Sequence, residues 1–371
     1  MDSPASRSSV RRCCICVLVP LACLMLLLGA CVQQGGDWRE AIASPVPTSS
    51  AGCGLQELPA SWQAALKPTT LTSANDLVLA MRDAASGRAL YVGARSTVIL
   101  TAPGAEPRVV FQLLAPEQVW RAMIDGDWIV VLAFDEVGGT KVHARRLDGE
   151  PFLLPLREEN DHVAAPSALV SNGTLFVSVI PDPSTKAEVA IAVNLATGAH
   201  ADLMVPYSTL SFLRWNDTVV LAQSITDIPG KITALNPDTL APVEVPAVLA
   251  GLGDAVSVAS DGTTAAWSPP TSPGLTVARQ GWSTARNYLL PGDRVEQISV
   301  WGRYLVALSG RRYWILDVET GQYAPLTAHD GSAVVSGGLL ATAEVATATG
   351  GSAGLRELDL TSVPALPACT R

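Results

Sequence analysis

The stretch LVSNGTLFVSVI, residues 169–180, decides the fold because Asn172 and Gly173 separate two apolar runs. An Asn-Gly pair between apolar runs is the strongest short-range signal of a β-hairpin, since both residues accept the positive φ of a tight turn. The same plan returns in MIDGDWIVVLAF (123–134), LRWNDTVVLAQS (213–224), VASDGTTAAWS (258–268) and SVWGRYLVALS (299–309). The sequence is therefore a series of similar hairpins.

Each hairpin belongs to a longer repeat that has an apolar strand, a turn, a strongly apolar strand, a polar loop and two further short strands. Seven first strands are predicted to start near Leu77, Val119, Pro166, Thr209, Ala255, Glu296 and Ser332. A period of about 42 residues with four strands per unit is typical of a β-propeller. We expect an all-β, seven-bladed β-propeller, with six or eight blades as the alternatives.

Three repeats resemble blades of known bacterial propeller families. ALYVGARSTVILTAP (89–103) resembles the YVTN repeat, VASDGTTAAWS the WD40-like repeat of the TolB type, and WILDVETGQYAPL (314–326) the WD40 and pyrroloquinoline-quinone-like blade ending. The resemblance implies the fold and leaves the function open, because one fold serves many functions. The regular tryptophan of quinone-enzyme blades is missing, so we expect no cofactor.

The N-terminal segment contains a border between an apolar run and a polar stretch, LMLLLGACVQQGG at residues 24–36. Three arginines precede the apolar run Cys13 to Ala30, which ends on Leu-Gly-Ala-Cys. This order resembles a bacterial lipoprotein signal. The resemblance implies cleavage before Cys31 and a diacylglycerol anchor on its sulfur, so that the protein is held on the cell membrane or outer membrane and faces away from the cytoplasm. The alternative is an uncleaved membrane helix, because 18 apolar residues are barely enough to span a bilayer.

Three regions follow from this interpretation. Residues 1–30 are a signal peptide, residues 31–52 are the lipidated cysteine and a flexible linker rich in Gly, Ser, Thr and Pro, and residues 53–371 are the propeller. Apart from Cys31, only Cys53 and Cys369 remain after cleavage. Two cysteines in an exported domain predict a disulfide bond, here between the two ends of the ring. The alternative is two unpaired buried thiols.

Charge argues against nucleic acid as a partner. The chain has a formal net charge of −9, which becomes −11 once the three arginines and one aspartate of residues 1–30 are removed. A protein that binds a polyanion needs a basic stripe, and here only isolated Arg-Arg pairs at 145–146 and 311–312 remain. We expect a monomeric ring that contacts the membrane through its anchor alone.

The sequence has no linear motif for catalysis or metal binding. Its four histidines are scattered singly, and no Gly-x-Ser-x-Gly elbow or phosphate loop occurs. Two polar connections could bind a cation or a basic partner through oxygen ligands. Their candidate residues are Glu158, Glu159, Asp161 and His162 in the first, and His329 and Asp330 in the second. The competing interpretation is that both are ordinary solvated turns.

Four longer loops follow second strands and should lie together on one face: DEVGGTK (135–141), PDPSTKAE (181–188), SITDIPGK (224–231) and PPTSPG (269–274). Loops carry binding function more often than strands do. We therefore expect a non-catalytic binding or scaffold protein of the cell envelope that uses this face for another envelope protein or a surface ligand. The rival hypothesis is an enzyme or a solute or carbohydrate receptor with its site at the central channel.

Overall fold

The computed structural model describes residues 49–50, 53–71, 77–135, 139–156, 162–181, 188–203, 210–223, 230–269, 274–326, 331–343 and 354–368. All of them lie in the compact unit Pro47–Arg371. Within these ranges no helix has the length and apolar character needed to cross a membrane. The apolar run that ends at Cys31 lies outside them.

The chain enters the ring through four short elements. They are β1 (Ser49–Ser50), β2 (Cys53–Gly54), helix α1 (Ala60–Ala65) and β3 (Lys67–Pro68). Strand β1 pairs in parallel with the outer strand of the fifth blade, and β2 pairs in parallel with that of the sixth. The N-terminal segment therefore follows the outside of the ring from blade to blade.

Seven four-stranded antiparallel sheets follow one another. The first three blades contain β4 (Val78–Arg82), β5 (Ala89–Gly93), β6 (Thr97–Thr101) and β7 (Arg108–Gln112); β8 (Gln118–Asp125), β9 (Trp128–Phe134), β10 (Thr140–Arg146) and β11 (Phe152–Leu153); and β12 (His162–Ser171), β13 (Thr174–Ile180), β14 (Val189–Asn194) and β15 (His200–Asp202).

The next three contain β16 (Leu210–Trp215), β17 (Thr218–Gln223), β18 (Ile232–Leu235) and β19 (Pro242–Val243); β20 (Ser257–Ser260), β21 (Thr264–Ser268), β22 (Gly274–Arg279) and β23 (Arg286–Leu289); and β24 (Val295–Trp301), β25 (Tyr304–Ser309), β26 (Arg312–Asp317) and β27 (Gln322–Pro325). Short 3₁₀ helices occupy Ala247–Asp254 and Leu360–Ser362.

The seventh blade closes the ring with strands from both parts of the chain. It contains β28 (Ser332–Ser336), β29 (Leu339–Ala343) and β30 (Arg356–Asp359), and β3 is its outer strand. Lys67 pairs with Glu357, and Pro68 pairs with Arg356. The prediction of a seven-bladed propeller is thus confirmed.

The hairpin turns form as the sequence predicts. Asn172 and Gly173 have φ angles of 51° and 72°, in the left-handed region that favours these two residue types. We call the face where the first strand of each blade begins the upper face, and the face where it ends the lower face. The first hairpin turns lie on the lower face, where neighbouring turns bond to each other. For example, Asn216 N–H donates to Gly262 O at 2.7 Å, and Thr264 Oγ1 donates to Gly302 O at 2.6 Å.

The core is divided among the seven interfaces between blades. Seven buried apolar clusters occur in the described ranges, and each joins two neighbouring blades. Met123 of blade two, for example, belongs to the same cluster as Val177 and Ile191 of blade three. Full burial of such a side chain contributes about 1.5–3 kcal/mol. This explains why second and third strands are apolar on both faces.

Helix α1 fastens the N-terminal segment to the ring. Its Trp62 is fully buried, stacks edge to face on Tyr304 of blade six at 5.5 Å, and donates its indole N–H to Pro364 O at 2.9 Å. Leu366 packs in the same cluster. One side chain therefore joins the N-terminal segment, blade six and the C-terminal segment.

Candidate binding site on the upper face

A β-bulge shapes the first strand of blade two. Val119 pairs with Ala133 and Arg121 pairs with Leu132, which leaves Trp120 as the extra residue without a partner on the adjacent strand. A bulge interrupts the alternation of side chains and changes their direction. As a result Trp120 is 36% exposed, although it lies on the innermost strand.

Trp120 belongs to a group of side chains that we call the blade-two rim: Leu114, Glu117, Trp120, Phe134 and Lys141. Leu114 and Glu117 lie in the connection between β7 and β8, and the other three lie near strand ends or beginnings, all on the upper face. Trp120 meets Phe134 edge to face at 6.2 Å, and Leu114 is 79% exposed. Glu117 and Lys141 form an ion pair at the same end of this blade. The rim combines aromatic and apolar surface with a polar border, which is the composition of a protein-binding patch.

The polar border is held by hydrogen bonds. Lys141 Nζ donates to Glu117 Oε1 at 2.5 Å, and His143 Nε2 lies 3.0 Å from Glu117 Oε2. Burial by itself would raise the pKa of Glu117, but hydrogen bonds from Lys141 and His143 outweigh it and lower the pKa. The same contact raises the pKa of Lys141. Glu117 is therefore ionised at neutral pH and holds the side chains of Lys141 and His143 in place.

Arg121 follows Trp120 on the innermost strand of blade two and is exposed to solvent. Its backbone pairs with Leu132 of β9, so the regular ladder resumes directly after the bulge.

The lower end of the same strand has a structural role. Asp125 Oδ2 accepts from Asn172 N at 2.9 Å in the turn of blade three, and Oδ1 lies 3.4 Å from Arg214 Nη1 of blade four. Burial raises the pKa of Asp125, although Arg214 and the Asn172 backbone oppose it. The contacts tie three consecutive blades together at the lower mouth of the channel.

A cleft of about 350 Å³ lies beside the closing strand β3 and is lined by Ala65, Lys67, Pro68, Thr70, Leu339, Glu357, Asp359 and Ser362. Burial is the main cause that raises the pKa of Tyr91 in blade one, and the carboxylate of Glu357 in blade seven raises it further. Asp359 accepts from Thr361 N and Oγ1 and so caps a turn. Of the polar side chains that line this cleft, Glu357 therefore interacts with blade one and Asp359 serves the turn after its own strand.

The residues predicted from sequence are mostly not among those described. Glu158, Glu159, Asp161, His329, Asp330, Cys31 and Cys369 all lie outside the described ranges. His162 begins β12 on the upper face, and its side chain is not described. The four long loops also fall largely outside, but the strand ends that flank them lie on the upper face. Among the described residues, no group of three or more His, Cys, Asp or Glu side chains could hold a metal ion.

Five other tryptophans lie in or against the interfaces between blades. Trp215 and Trp267 are almost fully buried in the interface of blades four and five, while Trp128, Trp301 and Trp314 pack partly buried against other interfaces. The turn and strand patterns of the sequence do not single out Trp120. Its signal is the break in alternation within QVWRAMID, where Trp120 and Arg121 interrupt the apolar positions.

Comparison with known proteins gives the fold. No family model matches the chain, and no curated protein matches it. The WD40 propeller domain of Doa1 is similar at 14% identity and a TM-score of 0.50, covering 79% of this chain and 95% of that domain. The chain is a seven-bladed β-propeller.

Two bacterial proteins are also similar in structure. AztD from Citrobacter koseri has 16% identity and a TM-score of 0.49, covering 78% of this chain and 84% of its own. PorZ, a surface component of the type-IX secretion system of Porphyromonas gingivalis, has 11% identity and a TM-score of 0.48, covering 74% of this chain and 35% of its own. These likenesses concern the fold alone.

Proposed function

We propose that the protein is a non-catalytic binding propeller, anchored by lipid on Cys31 outside the cytoplasm, that binds a protein partner through the blade-two rim. The observation that carries this proposal is Trp120, an exposed aromatic side chain that a bulge directs away from the core. Aromatic residues dominate the binding energy of protein interfaces when neighbouring groups exclude water from them. Phe134 supplies such a neighbour.

The rim is suited to binding because it is rigid. Val119 N–H donates to Arg95 O of blade one at 2.5 Å, so the bulged strand is fixed to its neighbour as well as to β9. Glu117 holds Lys141 and His143 in place. A preorganised surface loses little conformational entropy when a partner binds, and this raises the affinity for a given contact area.

The anchor and the linker are proposed from the sequence. Residues 31–52 would tether the ring to the membrane, and a disulfide bond between Cys53 and Cys369 would fix the chain ends. The hydrogen bond from Trp62 to Pro364 supports the proposed disulfide bond, because it holds the two terminal segments together. Non-reducing peptide mapping tests the Cys53–Cys369 pair, and free thiols at both positions would contradict it.

Crosslinking capture of the full-length protein from its native membrane tests the function. We expect one abundant partner, which is lost in Trp120→Ala and retained in Phe152→Ala. Phe152 is the matched control because it is a similarly exposed aromatic residue, 40% exposed, on the outer strand of the same blade. Mass spectrometry of the same sample should find Cys31 acylated at the mature N-terminus. A partner that is captured equally by both variants would contradict binding at the rim.

A further inference from the structure

We propose that the cleft beside β3 is a second binding site, separate from the blade-two rim, and that it binds a free aliphatic α-amino acid. The lining of the cleft combines one ammonium group, on Lys67, with two carboxylates, on Glu357 and Asp359. Its volume of about 350 Å³ lies in the range of small-molecule sites. An α-amino acid carries both kinds of charge within one small molecule, so its ammonium and its carboxylate can be bound by groups of opposite charge.

The arrangement of two opposite charges in the cleft is the first support. Lys67 and Glu357 are directly opposite each other on the antiparallel strands β3 and β30, so their side chains lie on the same face of blade seven. Opposite charges at such positions are close enough to interact. Yet no ion pair joins these two side chains in the part of the chain that the structure describes. A ligand that lies between them can therefore bind to both.

The second support is an oxygen atom of Glu357 that lacks a donor. Its Oε1 is shielded from water and, within the described ranges, has no hydrogen-bond partner. A carboxylate oxygen without water or a protein donor is unfavourable. Because the terminal torsion of a glutamate varies over a broad range, this oxygen can turn toward a donor in the cleft. An ammonium group supplies three N–H donors and the compensating charge.

The other lining residues define the class of ligand. Asp359 is ionised at neutral pH, because hydrogen bonds from Thr361 lower its pKa. Two negative charges and one positive charge thus line the cleft, which favours a ligand with an ammonium group over a simple anion. Lys67 would hold the carboxylate of the same ligand. An aliphatic side chain would contact the apolar part of the lining, which consists of Ala65, Pro68 and Leu339.

Isothermal titration calorimetry on the purified full-length protein tests the proposal. The probes are L-leucine, L-isoleucine and L-valine, each titrated to about 10 mM. We expect at least one of them to bind with a Kd below about 1 mM. If none of the three gives a heat of binding, the proposal is overturned. Capture of a partner through Trp120 does not depend on this result, so the proposed function is tested separately.

Two analogues of the amino acid that binds then test the role of each charge. Its α-amide keeps the ammonium group and loses the carboxylate, whereas its N-acetyl form keeps the carboxylate and loses the ammonium group. Each should bind to the wild type about 10- to 100-fold more weakly, as expected for the loss of a charged hydrogen bond. An analogue that binds as tightly as the amino acid would overturn the proposal, and this comparison needs no variant protein.

Variants assign each charge of the ligand to a residue. Lys67→Gln should bind the amino acid and its amide about equally, and Glu357→Gln should bind the amino acid and its N-acetyl form about equally. If either variant still discriminates as the wild type does, that charge binds elsewhere and the proposed site is wrong. Lys231→Gln and Glu150→Gln, at exposed positions of blades four and two, are the matched controls and should change the affinity less than about twofold. The urea midpoint of each variant, followed by circular dichroism, confirms that the ring is intact before affinities are compared.

Discussion

Trp62 offers the sharpest test of how the ring is closed. Its side chain is fully buried, contacts Tyr304 of blade six and bonds to Pro364 of the C-terminal segment. Truncation of a buried tryptophan to alanine costs about 3–5 kcal/mol, because it removes apolar contacts and leaves a cavity. The Pro364 carbonyl also loses its donor, which adds about 1 kcal/mol. We therefore expect Trp62→Ala to lower the free energy of unfolding by about 4–6 kcal/mol.

Two further variants separate the contribution of the indole hydrogen bond from that of packing. Trp62→Phe keeps an aromatic ring but loses the indole donor, and we expect a loss of about 1–2 kcal/mol. Phe152→Ala removes a half-exposed ring that contacts Trp128 edge to face, and it should change the free energy by only about 1 kcal/mol. Urea titration followed by circular dichroism provides these values, and an unchanged slope with denaturant would show that the comparison is valid.

The reasoning would be refuted if Trp62→Ala cost less than about 1 kcal/mol, since the terminal segments would then contribute little to the ring. It would also fail if the phenylalanine variant lost as much as the alanine variant. That result would assign the whole effect to the hydrogen bond and none to packing between α1 and blade six.

Three other variants test individual contacts, all by urea titration. Gly337→Ala should lower the free energy of unfolding by more than about 2 kcal/mol, because the new Cβ would lie 2.5 Å from Arg82 O. Gly104→Ala is the control, since Gly104 has a similar positive φ but no atom within 4 Å of the new Cβ, and it should cost only about 1 kcal/mol. Equal losses would argue against the close contact of blades seven and one. Glu117→Gln should destabilise the protein by about 1 kcal/mol at pH 7, because the lowered pKa of Glu117 means that its ionised form stabilises the fold. The difference from the wild type should shrink as the pH falls below 4.5, the ordinary pKa of a glutamate. A difference that does not change with pH would contradict this. Asp125→Asn should not lower the free energy of unfolding at pH 7, because the raised pKa of Asp125 means that folding disfavours its ionised form. A loss above about 1 kcal/mol would show instead that the contact with Arg214 dominates.

The sequence predicts the architecture well because the fold repeats a local signal. Hairpin turns and apolar runs place the first strand of blade seven at Ser332, where the structure has it, and that of blade six within one residue of Val295. The largest difference is in blade three, which begins at His162 rather than near Pro166. There the register shifts between Val163 and Ala168, so the strand extends beyond the regular pattern.

The candidate site is less accessible to sequence reasoning because it depends on contacts between distant residues. Glu117 and His143 are 26 positions apart, and neither belongs to a motif. Trp120 resembles the other strand tryptophans in sequence, and only the bulge distinguishes it from them. The position of a bulge is a property of the assembled blade.

The most direct test of the proposed function replaces Trp120 by the photocrosslinking residue p-benzoylphenylalanine in the full-length, membrane-anchored protein. The same replacement at Phe152 serves as the control on the outer edge of the same blade. Irradiation should give one dominant adduct with a single envelope protein at position 120 and none at position 152. The same pattern at both positions, or no adduct at position 120, would contradict binding through the blade-two rim.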